Sequence, residues 1–131
     1  MTNADLVEKV EALADTDGRY RKEAYFFVFD ALQYTVKSLK LSGERRHVTG
    51  QQLLNGVKEL ALDHFGPMAK TVFEHWGVRS TRDFGEIVFC LVEAGLLGKT
   101  EEDSIDDFVD VYDFDAEFDW KKAIGRKFKQ S

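Results

Sequence analysis

The chain has 131 residues, of which 44% are hydrophobic and 13% aromatic, with 11 Phe and a single Pro. That composition suits one core-forming domain and excludes a disordered or linker-rich chain. The formal net charge is −6, the one Cys excludes an intramolecular disulfide and a cysteine-based zinc site, and the N-terminal MTNADLVEKV lacks the regions of a secretory signal. No apolar run approaches the ~18 residues of a membrane span. A cytoplasmic protein without membrane contact is expected.

Helical periods recur along the chain. Leu6, Val10 and Leu13 predict a helix over ADLVEKVEALAD, which ends before the turn-like Thr16 to Gly18. From Arg21 to about Leu39, apolar side chains cover nearly the whole circumference. They leave a narrow stripe of Glu23, Asp30, Gln33 and Lys37, the pattern of a central helix. After the polar SGERRH, Thr49 and Gln52 have the spacing of a capping box, so a third helix starts there and runs to Phe65. Gly66 and Pro67 combine a helix stop with a helix start. The short helix Pro67 to Trp76 should bury Ala69, Val72, Phe73 and Trp76. Ser80 with Asp83 caps a fifth helix that runs to about Ala94 and is closed by Gly95.

Beyond Gly95 the period changes. Phe108, Asp110, Tyr112 and Phe114 alternate against Val109, Val111, Asp113 and Asp115, which predicts a β-hairpin, although the spacer EEDSIDD also reads as a helical turn. The fold class is therefore mainly α, about five helices, winged-helix-like with a short C-terminal hairpin. Residues 1–119 form one helical domain whose end, 100–119, carries ten acids and no Lys or Arg. The tail 120–131 carries five bases and no acid. The two charged blocks read as solvated surface and partly pair with each other.

The order helix, turn, helix, hairpin is that of a winged helix-turn-helix with Ser80 to Ala94 in the recognition place. Charge argues against DNA reading. The exposed stripe of that helix, placed at about 100° per residue, is Arg82, Asp83, Glu86, Cys90 and Glu93. Each carboxylate there opposes the counterion release that drives binding. The leading reading is a non-enzymatic module that binds another protein or itself. The alternative is a nucleic-acid-binding regulator using Arg45, Arg46, Arg79 and Arg82. Phe89 falls outside the main apolar arc of its helix, as do Phe26 and Phe27 on theirs, so this aromatic surface needs a cover from the acidic segment or another subunit.

The remaining chemistry is sparse. His47 follows Arg45 and Arg46 in a polar loop suited to an anion, whereas His64 and His75 sit near helix ends where an imidazolium complements the dipole. No metal-binding histidine pair, phosphate loop or catalytic triad occurs, so no cofactor and no enzymatic activity are expected. Cys90 has Asp83 and Glu86 as helix neighbours, which would raise its pKa and make it a structural thiol. The partner- or anion-binding candidates are thus Arg45, Arg46, His47, Arg79, Arg82 and Phe89.

Three segments, RYRKEAYFFVFDALQYT, RRHVTGQQLLNGVKELALDHFGPMAKTVFEHWGVRSTRDFGEIVFCLVEAGLLGKTEEDS and DDFVDVYDFD, carry a family likeness. The chain from Arg19 to about Asp115 resembles an uncharacterised family of small proteins found mainly in planctomycetes and verrucomicrobia. The resemblance implies a bacterial cytoplasmic protein and supplies no functional residues.

Overall fold

Local capping chemistry sets the helix boundaries. Thr49 Oγ1 accepts the Gln52 amide at 3.1 Å and Gln52 Oε1 accepts the Thr49 amide at 3.0 Å, so two otherwise orphan donors are satisfied reciprocally. The Asp83 carboxylate likewise accepts the Arg79 and Ser80 amides at 2.8 and 3.2 Å. The computed structural model describes residues 3–40, 48–98 and 104–118. In these it contains α1 (Asn3–Asp17), α2 (Lys22–Ser38), α3 (Gly50–Phe65), α4 (Ala69–His75), α5 (Thr81–Glu93) and α6 (Phe114–Glu117), with 3-10 turns at Gly66–Met68 and Ile105–Phe108. The five predicted helices are present, α4 beginning after a 3-10 turn rather than at Pro67. No helix among the described residues is long and apolar enough to cross a membrane.

The central pair is α2 on α3, and small residues bring it together. Thr35, 3% exposed, donates its hydroxyl back to the Ala31 carbonyl at 2.7 Å. Gly56 of α3 faces that turn, and a Cβ there would collide with Thr35 Oγ1. The four polar residues predicted to stripe α2 are exposed, and Ala24, Tyr25, Phe27, Val28 and Ala31 are buried. Phe27 corrects the expectation of uncovered aromatic surface: its ring lies 5.5 to 5.8 Å from those of Phe65, Phe73 and Trp76. Phe26 is half-buried. Gly77 closes α4 with φ +89°, and its missing side chain matters for space too, because a Cβ would lie 2.5 Å from the Arg19 carbonyl oxygen.

Residues 108–115 are not a hairpin. Ser104 and Asp113 accept the amides of Asp106 and Asp115 at 3.2 and 2.9 Å, which draws the backbone into a 3-10 turn and into α6 instead of a strand ladder. The helical-turn reading of the spacer is the one realised, at Ile105–Phe108. No strand occurs among the described residues, so the wing of a winged helix is missing there as well. Phe108, Phe114 and Phe118, at 4, 4 and 2% exposure, anchor this C-terminal strap in the core. Rings of Phe73, Phe84, Phe114 and Phe118 meet at centroid distances of 5.1 to 6.2 Å in tilted or edge-to-face pairs.

The α2–α3 crossing gives a sharp expectation. Gly56→Ala should lower stability by about 1–3 kcal/mol despite the better helix propensity of alanine, because the crossing has no room for the methyl. Adding Thr35→Ala should recover part of that loss. Urea denaturation of the two variants checks both statements, and an unchanged midpoint for Gly56→Ala would refute the close crossing.

Candidate functional site

The candidate residues Arg79, Arg82 and Phe89 lie on or beside α5, so the site is built around that helix. Its buried arc is Phe84, Ile87 and Leu91, each 0% exposed. One flank, Thr81, Gly85 and Phe89, is covered by the strap. Phe108 sits in a slot where a Cβ on Gly85 would come within 2.6 Å of its Cβ and Cγ, and a Cβ on Gly50 of α3 within 3.0 Å of its ring edge. The Phe89 ring meets Phe108 edge-on at 6.1 Å. Thr81, fully buried, donates to the Phe108 carbonyl at 2.6 Å and accepts the Val111 amide at 3.2 Å. Tyr112 adds a bond to the Leu54 carbonyl at 2.7 Å, and burial raises its phenol pKa.

The other flank, Asp83, Glu86 and Cys90, is covered by the turn between α1 and α2. Tyr20 donates to Asp83 Oδ1 at 2.6 Å, and Arg19 reaches Glu86 Oε2 at 3.4 Å and Cys90 Sγ at 3.6 Å. Arg19 also grips both carboxylate oxygens of Asp17 at 3.1 and 3.0 Å, and that bond holds the Asp17 carboxyl below its ordinary range. Burial, with Asp83 as hydrogen-bond partner, raises the Tyr20 phenol. Cys90 is raised first by burial and then by Asp17, with Arg19 opposing. The expectation about Cys90 therefore keeps its direction but not its cause, since the named neighbours Asp83 and Glu86 are not what shifts it.

What remains open to solvent on α5 is a narrow stripe. Arg82 and Glu93 are exposed, whereas Asp83, Glu86 and Cys90, predicted to share that stripe, are half-buried. Arg82 Nε lies 3.5 Å from Glu86 Oε1, so its charge is already partnered. Arg79 is exposed just before the helix. Arg45, Arg46 and His47 lie outside the described residues. His64 and His75 occupy the last turns of α3 and α4. Among the described residues no three His, Cys, Asp or Glu side chains converge to hold a metal ion.

The acidic strap was the part of the site hardest to place from sequence. It turns its aromatic residues inward and leaves Asp106, Asp110, Asp113 and Asp115 exposed. Val109, at 37% exposure, and Asp110, with φ +50°, form its outermost bend. Lys70 pairs with Asp115, and Lys58 Nζ lies 3.7 Å from Glu117 Oε2, so the body of the domain supplies counter-charges to the strap. No protein-family model, curated protein or solved structure matches the chain.

Two outcomes follow from this geometry. Thr81→Val should cost about 1–3 kcal/mol, the penalty of leaving the Val111 amide and the Phe108 carbonyl unsatisfied in a buried site. Wild-type stability in urea would show that this hydroxyl does not hold the strap. Cys90 should react with a disulfide reagent more slowly at pH 8 than a free cysteine does, because burial disfavours its thiolate. A rate equal to the free amino acid's would contradict the raised pKa.

Proposed function

We propose that this protein is a non-enzymatic interaction module that binds a basic surface of another protein through the outer face of its acidic strap. The observation that carries the reading is the division of labour along residues 104–118. Phe108, Phe114 and Phe118 fix the strap to the helical body, and Asp106, Asp110 and Asp113 face solvent around the exposed Val109. An ordered row of charges with an apolar centre is a recognition surface that loses little conformational entropy when a partner docks. Rim charges of this kind raise the association rate and its salt dependence. Phe89, proposed from sequence as a partner contact, is covered by the strap itself, so the partner meets the strap and not the aromatic ring.

Nucleic-acid binding through Arg45, Arg46, Arg79 and Arg82 is the weaker reading. Both flanks of α5 are occupied, and the strap that lies beside it is anionic, so a phosphate backbone approaching that helix meets repulsion. The resemblance to the planctomycete and verrucomicrobial family adds no activity to either reading.

The test uses the triple variant Asp106→Asn, Asp110→Asn, Asp113→Asn, in which asparagine still caps α6. Proteins cross-linked to the wild type in native lysate should be lost with the variant, and wild-type capture should weaken steeply with salt. An identical set captured by both would defeat the proposal, as would a wild type that captures nothing and stays monomeric in light scattering.

A further inference from the structure

Helix α1 is attached to the molecule differently from the other long helices. Among its described side chains only Val10 and Ala14 are buried, whereas Leu6 and Leu13 are half-buried and Val7 is exposed. It packs chiefly on α2. Its C-terminal end is fastened by charge. The Asp17 side chain, 17% exposed, accepts Arg19 Nε on both carboxylate oxygens at 3.1 and 3.0 Å and the hydroxyl of the buried Tyr25 on Oδ2 at 3.3 Å. Arg19 in turn reaches Glu86 Oε2 at 3.4 Å and Cys90 Sγ at 3.6 Å. One carboxylate thus ties α1 to α2 directly and to α5 through a guanidinium.

The chain is held very differently on the two sides of Gly18, which turns at φ +76°. After it, three contacts pin residues 19–21 to the ends of α4 and α5. The Arg21 amide donates to the Trp76 carbonyl at 3.0 Å, the Arg19 carbonyl fills the space where Gly77 would carry a Cβ, and Tyr20 donates to Asp83 at 2.6 Å. Before it lies α1 with its thin apolar stripe. The pair of Glu11 with Lys22 joins two largely exposed side chains and adds little. Gly18 is therefore the junction between a firmly held turn and a lightly held helix.

We propose that α1 is a hinged arm, swinging from the body as a unit about Gly18 while α2 to α5 stay folded, and that the Asp17 carboxylate is the latch that holds it closed. Sub-global openings of this kind belong to elements with few buried apolar contacts. Opening bares Tyr25 and the face of α2 on which α1 lies. The latch is also acid-sensitive. The bond from Arg19 keeps the Asp17 carboxyl below its ordinary range, so its stabilisation is complete above pH ~4 and is lost as pH falls through that lower value. The groups that face it are Arg19 from the turn, Tyr25 from α2 and, around Arg19, Glu86 and Cys90 of α5. Burial raises both the phenol and the thiol, so neither loses its proton in acid.

The experiment is native-state hydrogen exchange of the full chain followed by NMR, with the amides from Val7 to Ala14 reporting α1 and those of Leu60 and Ile87 reporting the body. The α1 amides should share one opening, at least about tenfold more frequent than the opening that exposes the body. Asp17→Asn keeps the shape and should speed α1 exchange about tenfold through the lost charged hydrogen bonds. Thr81→Val and Val57→Ala weaken the body and not the latch, so they should speed Leu60 and Ile87 and leave α1 unchanged. On acidification to about pH 3, with intrinsic rates corrected, wild-type α1 should lose protection relative to Asp17→Asn, and Glu86→Gln should keep that response. Protection that climbs steadily from Val7 to Ala14 would mean fraying from the chain end and would overturn the arm. So would an α1 that the two body variants speed as much as the body itself. Unchanged α1 exchange in Asp17→Asn, or an acid response that vanishes in Glu86→Gln, would overturn the latch.

Discussion

The seat of Phe108 between Gly50 and Gly85 is the contact on which the strap, residues 104–118, depends. A strap bearing six acids and no base over its described length has every electrostatic reason to leave a body that is itself slightly acidic. Burial reverses that balance. Three phenylalanines taken out of water contribute about 1.5–3 kcal/mol each before ordering costs. The ion pair of Lys58 with Glu117 involves partly exposed side chains and adds about 0–1 kcal/mol, and that of Lys70 with Asp115 is screened by solvent. The strap is therefore held by shape. A methyl group at either glycine would take the place that the ring occupies.

That seat also decides what α5 can be. A recognition helix must offer a continuous face to a groove, and α5 has none left. The strap takes the Thr81, Gly85 and Phe89 side by packing and a buried hydroxyl. The α1–α2 turn takes the Asp83, Glu86 and Cys90 side by charge, with Arg19 bridging two carboxylates and Tyr20 capping a third. Two unlike chemistries close two sides of one helix. They also join residues distant in sequence, which makes α5 the hinge of the core's organisation.

Much of this was legible in the sequence, and the limits are physical. Caps act over three or four residues, so Thr49, Gln52, Ser80 and Asp83 revealed their helices directly. The apolar period did the same for α2, whose exposed stripe was read residue by residue. The alternation in FVDVYDF misled because period two is also what a short strap shows when it dips into a core at intervals. Only the capping bonds of Ser104 and Asp113 and the glycine slot on other helices distinguish the two. Cys90 shows the same limit. A helical wheel sees neighbours on its own helix, whereas Asp17 and Arg19 arrive from the far end of the chain. Of the predicted site residues, Arg79, Arg82 and Phe89 fall around α5.

Anchoring by aromatic packing has a consequence for the charges left outside. Had Asp106 and Asp110 been needed to fasten the strap, screening them or pairing them elsewhere would loosen it, and any partner would compete with the fold. Here they contact solvent, while the inward residues carry the attachment. The Asp110 backbone, at φ +50°, is held in a conformation that costs a non-glycine residue energy, and the neighbouring Val109 is turned outward at that bend. Packing on both sides of the bend, at Phe108 and Phe114, is what sustains it. The charges of the strap are thereby free to meet a second surface without any part of the first being given up.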